Sequence, residues 1–188
     1  MRKLILIKHS KPLVQPEVPS HEWPLSDEGR ARCAALAERV KPHAPAVIVA
    51  SEEPKATETG RIVAEMLGVP FETAPGLHEH DRSNVPHMAS RDFISYVALL
   101  FQQPDKLVLG QETASEAFRR FSAAIDQVIA RHPEGNIAIV THGTVLALLA
   151  ERRAKEDGFQ LFRRMGLPSM IAFELPGWVL VEKVEHID

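Results

Sequence analysis

Apolar positions along this chain fall into short continuous runs separated by stretches of helical spacing. Residues 4–7 form the first run, Leu-Ile-Leu-Ile, with no helical period, which predicts a buried parallel strand. Pro12, Pro16, Pro19 and Pro24 then hold a long irregular segment that cannot be a helix. Ser26 fits a helix cap, with acidic Asp27 and Glu28 in the first turn. Cys33, Leu36, Ala37 and Val40 recur at helical spacing until Pro42 stops the element. Residues 46–50 predict a second buried strand, and Pro54 suits a first helical turn. Thr59, Ile62, Val63, Met66 and Leu67 predict one helix face, closed by Gly68 and Pro70. A short strand is expected at 71–73, then a polar, histidine-rich loop over 75–90.

Further along, Phe93, Ile94, Val97, Leu100 and Phe101 predict an amphipathic helix ended by Pro104. Thr113-Ala114-Ser115-Glu116 is a capping-box pattern. It opens a helix that buries Phe118, Phe121, Ile125, Val128 and Ile129. Residues 136–140 predict a strand and 145–149 the start of a helix. Residues 171–175 and 179–184 predict a final hairpin around Pro176-Gly177. This β-α-β-α rhythm predicts an α/β fold, a three-layer α/β/α sandwich with a mostly parallel sheet and an antiparallel edge. No linker or repeat interrupts residues 1–188, so a single domain is expected, with lid segments around 11–24 and 75–90.

In such sheets ligands bind beyond the carboxyl ends of the strands. The first strand ends in Lys8-His9-Ser10. The second ends at Ser51, with Lys55 in the following helical turn. The later strand ends in Thr141-His142-Gly143-Thr144. Two histidines and two lysines would therefore converge on one edge, where helix N-termini present unpaired N–H groups. Such an edge is an anion site, and phosphate is the commonest such anion.

Lys8-His9-Ser10 resembles the Arg-His-Gly motif that opens the histidine phosphatase superfamily, the phosphoglycerate-mutase-like proteins. Leu25-Ser26-Asp27-Glu28-Gly29 resembles that family's Leu-Ser-x-x-Gly helix start. Lys55-Ala56-Thr57-Glu58-Thr59 resembles its Arg-Ala-x-x-Thr segment, Leu77-His78-Glu79 its Leu-x-Glu element, and Thr141-His142-Gly143 its second-histidine motif. The order and spacing fit over roughly residues 4–175. The chain departs from the pattern at several positions. Lysines 8 and 55 stand where the family has arginines, Ser10 where it has glycine, and Glu52 where it has proline. A polar position six residues after the first histidine falls at Gln15. The lysines keep the pocket's charge but lose two planar forks that hold phosphate oxygens bidentately.

The resemblance implies a metal-independent phosphatase that hydrolyses phosphoric monoesters without a cofactor. His9 would attack phosphorus and form a phosphohistidine. Lys8, Lys55 and a protonated His142 would stabilise the non-bridging oxygens. Glu79 would protonate the leaving oxygen and then activate water, with Asp81 as its local substitute. The partner would be a small phosphorylated substrate or inorganic phosphate. Three other readings compete: a phospho-ligand binding or regulatory protein with weakened catalysis, a mutase-like phosphotransferase, and a metal-dependent hydrolase using His78, His80 and Asp81 with His87 nearby.

Composition narrows the classes further. A net charge of −3 argues against a generally basic nucleic-acid surface. The one cysteine, Cys33, excludes an intramolecular disulfide framework. Apolar runs are far below the roughly 20 residues of a membrane span, and the first is too short for a secretory core. A soluble, reduced, cytoplasmic protein is the expectation, with no membrane or nucleic-acid partner. The oligomeric state and the physiological substrate stay open.

Overall fold

The computed structural model describes all 188 residues. Six strands form one sheet: β1 (Arg2–Lys8), β2 (Pro45–Ala50), β3 (Phe71–Thr73), β4 (Asn136–Thr141), β5 (Ser169–Leu175) and β6 (Val179–Val184). Their order is β3-β2-β4-β1-β5-β6. The first four are parallel to one another, whereas β5 runs antiparallel to β1 and β6 antiparallel to β5. Six α-helices connect them: α1 (Asp27–Val40), α2 (Pro54–Leu67), α3 (Ser90–Gln102), α4 (Ala114–Arg131), α5 (Gly143–Ala154) and α6 (Gly158–Arg164).

The period-2 alternation of β1 sends its side chains into two separate cores. Leu4 and Leu6 join the larger core, which contains Leu100 of α3, Phe121 and Ile125 of α4, residues 145–150 of α5 and Leu161 of α6. Ile5 and Ile7 join the smaller one, with Cys33, Leu36 and Val40 of α1 and Val63 of α2. Helices thus cover both faces, and the three-layer α/β/α architecture with its antiparallel edge is the one expected. Helix α5 is buried on every side from Gly143 to Ala150, which explains why its apolar run shows no amphipathic stripe. No helix is long and apolar enough to cross a membrane.

The differences from the sequence reading are local. The proline-rich segment holds one 3-10 turn, Ser20–Glu22. Helix α6 was not foreseen: seven residues are too few to show a period, although Asp157 caps it by accepting from the Gln160 N–H. Met66 and Ile94, assigned to buried faces, are exposed. Helix α1 starts as expected, with the Ser26 side chain accepting from Gly29 N–H. Gly29 is required by close approach, because a Cβ there would lie 2.1 Å from the Lys11 carbonyl oxygen.

Candidate active site

Register brings the two histidines together. Lys8 of β1 pairs with Thr141 of β4, and the His9 N–H continues the ladder by donating to the Thr141 carbonyl at 3.0 Å. The next residue of each strand is therefore His9 and His142, and their ring centroids lie 5.2 Å apart. Strand β2 pairs on the other side of β4, and Ser51 N–H reaches the Val140 carbonyl at 2.9 Å. All three parallel strands end at one edge, beneath a cavity of about 1530 Å³ lined by Lys8, His9, Lys55, Glu79 and His142 among others. Segments 11–24 and 75–90 supply much of its wall.

His9 Nδ1 lies 2.7 Å from the carbonyl oxygen of Ser10. Only a nitrogen bearing hydrogen can bond a carbonyl, so Nε2 keeps its lone pair. Burial, then competition with the neighbouring His142 ring and the charges of Lys55 and Lys8, hold the ring well below the usual histidine pKa, against a raising contribution from the Ser10 bond. His9 is thus a neutral imidazole with a free nitrogen. Ser10, in the place of a glycine, fits because its buried hydroxyl donates to the Gly29 carbonyl at 2.7 Å. Its N–H donates to Thr59 Oγ1 at 3.0 Å.

His142 is the N-cap of α5 and is fully buried. Its Nε2 sits 2.9 Å from Ser51 Oγ, and its Nδ1 has no protein partner. Ser51 Oγ accepts from the Glu53 N–H at 3.3 Å. If Ser51 donates its hydroxyl hydrogen to Nε2, the ring carries its own hydrogen at Nδ1. Burial, followed by Lys55, holds His142 well below the usual histidine pKa, only partly offset by Glu79. The protein's own groups therefore favour neutral His142, and the cation expected from the sequence would need the opposing charge of a bound phosphate dianion.

The two lysines are less free than a bare motif suggests. Lys8 Nζ donates to the Met165 carbonyl at 2.8 Å. Burial lowers its pKa to about 8, with Glu79 opposing and Arg82 adding to the drop. Lys55 Nζ donates to Glu53 Oε2 at 2.7 Å and to the Ser20 carbonyl. An ammonium has three donors, so Lys8 retains two and Lys55 one. Glu53, two residues before Lys55 across Pro54, was not singled out in the sequence. Its Oε1 accepts from Glu79 N–H at 2.9 Å and lies 3.6 Å from His142 Nε2. An acidic residue two positions from the expected cation was the available signal.

Glu79 is held in place by a neighbour the sequence did not reveal. Arg120 of α4 donates to the carbonyls of Gly76, His78 and Glu79, while Thr141 Oγ1 donates to Leu77. The Glu79 carboxylate accepts from the N–H groups of His80 (2.8 Å), Thr144 (3.0 Å) and Val145 (3.2 Å). It also pairs with Arg82 Nη2 at 3.2 Å. Burial pushes its carboxyl up, but Arg82, His142 and the N–H groups outweigh burial and hold it well below the usual carboxylate range.

Two further residues of this loop, His80 and Asp81, are engaged in other bonds. His80 Nε2 faces the Glu112 carbonyl at 2.7 Å, and Asp81 Oδ1 accepts from the N–H and hydroxyl of Ser83. No three His, Cys, Asp or Glu side chains gather as a ligand set. Gln15 gives its backbone carbonyl to Trp23 Nε1 and does not line the cavity.

The fold is shared widely. The mycobacterial glucosyl-3-phosphoglycerate phosphatase superposes with a TM-score of 0.74 at 18% identity, covering 91% of this chain and 89% of that one. YhfR of Bacillus stearothermophilus gives 0.77 at 22% identity, covering 98% and 96%. The phosphoserine phosphatase of Entamoeba histolytica, in complex with 3-phosphoglyceric acid, gives 0.79 at 15% identity, covering 99% and 98%. No curated protein matches the chain by sequence. The model of the histidine phosphatase superfamily (branch 1) matches residues 4–173, a span that takes in both strand-end histidines, most of β1 and the other three parallel strands. With so much of its length matched, the chain belongs to the histidine phosphatase superfamily.

Proposed function

We propose that this protein hydrolyses phosphoric monoesters through a phosphohistidine on His9. The observation that carries the reading is the state of His9. It is a neutral ring whose Nδ1 is tied to the Ser10 carbonyl, with its Nε2 lone pair free beside His142 in a cavity lined by cations. Phosphate monoesters resist attack because the dianion repels nucleophiles and the leaving alkoxide is poor. A neutral imidazole avoids the first difficulty, and Lys8, Lys55 and His142 Nδ1–H address the charge on the non-bridging oxygens.

In the first step the Nε2 lone pair forms a bond to phosphorus as the bond to the ester oxygen breaks. The leaving oxygen takes a proton that Glu79, ionised in the free protein, has taken up from solvent once substrate is bound. In the second step water attacks phosphorus, the P–N bond breaks, and the water's proton returns to Glu79. Orthophosphate leaves with the enzyme restored. The reading needs neither metal nor cofactor. Segments 11–24 and 75–90 border the leaving group and serve as its lids within a single domain. Fold relatives solved with inorganic phosphate and with VO3 support a small phosphorylated ligand.

Two observations favour weakened catalysis as a second reading: the heavily bonded Glu79 carboxylate and the pairing of Lys55 with Glu53. One experiment separates them. Turnover of p-nitrophenyl phosphate is measured with EDTA present, for wild type and His9→Ala. We expect metal-independent turnover and its loss by at least a hundredfold in His9→Ala, with an acid-labile, alkali-stable phosphoprotein trapped only in wild type. Undiminished turnover in His9→Ala contradicts the nucleophile. Phosphate binding without turnover supports the second reading.

A further inference from the structure

Arg82 is the one arginine among the residues lining the cavity, and nothing in the motif pattern assigns it a task. It sits in segment 75–90, three residues after Glu79. Its guanidinium stacks on Phe93, with Cζ 4.7 Å from the ring centre. Nη2 is 3.2 Å from Glu79 Oε2, whereas Nη1 is buried with no partner at all. A buried donor left unmade is costly and rare. The lysines are already engaged with Met165, Glu53 and Ser20. The guanidinium lines the same cavity as Lys8 and His142, and its charge contributes to lowering the pKa of both.

We propose that Arg82 is the phosphate fork of this site: Nη1 takes a non-bridging oxygen, and Nη2 then leaves Glu79 for a second oxygen of the same dianion. The planar guanidinium matches two phosphate oxygens as an ammonium cannot. It therefore supplies the bidentate grip that Lys8 and Lys55 do not provide. The exchange also changes Glu79. Once Arg82 has turned to phosphate, the carboxylate loses its charged partner and faces a dianion, and both effects raise its proton affinity. Glu79 is ionised while the guanidinium holds it and becomes able to carry a proton when substrate arrives. Phe93 supports the guanidinium plane through this turn. This inference rests on the phosphatase reading above.

The test uses the full chain and inorganic phosphate as the probe, titrated calorimetrically with wild type, Arg82→Lys and Arg82→Gln. Arg82→Lys keeps the charge and an aliphatic stem but removes the fork. It should weaken phosphate binding about tenfold, and Arg82→Gln about a hundredfold. KM for p-nitrophenyl phosphate should rise in the same order. Affinity within twofold of wild type in Arg82→Lys overturns the fork. So does a change confined to kcat and its pH profile, which would mean that Arg82 serves only to position Glu79. Should Arg82→Gln fail to fold, Arg82→Lys decides alone. Wild type that traps phosphohistidine while the Arg82 variants bind phosphate normally removes this assignment and leaves the phosphatase standing. Wild type that neither binds phosphate nor turns over removes both.

Discussion

Lys8 follows four fully buried aliphatic residues of β1, with its Nζ on the Met165 carbonyl and burial holding its pKa at about 8 instead of 10.5. Below that value the side chain is an ammonium and attracts a phosphate dianion. Above it the charge is gone. The expected result is a fall in kcat/KM as pH rises through about 8, for a substrate already dianionic over that range, because kcat/KM reports the free enzyme. Lys8→Arg replaces the group with one that stays charged. Its alkaline limb should move up by at least one pH unit, and its inhibition constant for inorganic phosphate at pH 9 should be lower than that of wild type. Coincident alkaline limbs in the two proteins would show that another group governs the decline. A sequence cannot carry this information, since the lowered value depends on what is packed around the chain after Lys8, including Phe162, whose ring centre is 5.8 Å from Nζ.

Glu79 lies in the loop between β3 and α3, but both histidines stand at element boundaries, and the boundaries depend on backbone fit. Lys11 O accepts both the N–H and the hydroxyl of Ser26, tying the loop after β1 to the start of α1. Gly29 lets that carbonyl approach. Gly29→Ala would force backbone apart, because the atom met is a carbonyl and not a flexible side chain. Ser10 Oγ bonds the Gly29 carbonyl, so the disturbance reaches the residue after His9. A loss of about 2–4 kcal/mol in urea-measured stability is expected, with residual activity reduced well beyond the fraction unfolded. Loss of stability alone would mean that α1 and the His9 loop are independent. The sequence showed these joints in part. Strands of four or more apolar residues, the Ser26 cap and the Thr113–Glu116 capping box were legible because each is a local pattern. So were His9 and His142, since parallel strands must deliver their ends to one edge. Arg120, Glu53 and Arg82 were not, because their partners lie 26 to 44 residues away or belong to a loop without period. Helix α6 escaped for want of length.

Over the whole molecule the sheet separates two apolar cores, and the polar site occupies the one edge where neither core can close. Four histidines are gathered there and held below their ordinary pKa, with burial the largest cause for each: His9, His78, His80 and His142. Unfolding exposes them to water, where each takes a proton near pH 6.5. Between that pH and their lower folded values the unfolded chain binds more protons than the native one. Stability must then rise with pH across this window and fall on acidification, by about 1.4 kcal/mol per pH unit for each histidine fully withheld from protonation. Glu79 adds a loss in the same direction, but only below the ordinary carboxylate range, so it does not enter between pH 5 and 7. A domain of this size has only about 5–15 kcal/mol to lose, so the effect should be large. Urea unfolding at pH 7, 6 and 5 should show a steep decline in wild type. His142→Asn, which removes one such proton site at the centre of the cluster, should flatten the decline by about one proton's worth, whatever its stability at pH 7. A variant whose stability falls parallel to wild type over that interval would mean that the His142 ring accepts its proton in the folded protein. The neutral-imidazole arrangement around Ser51 would then be wrong.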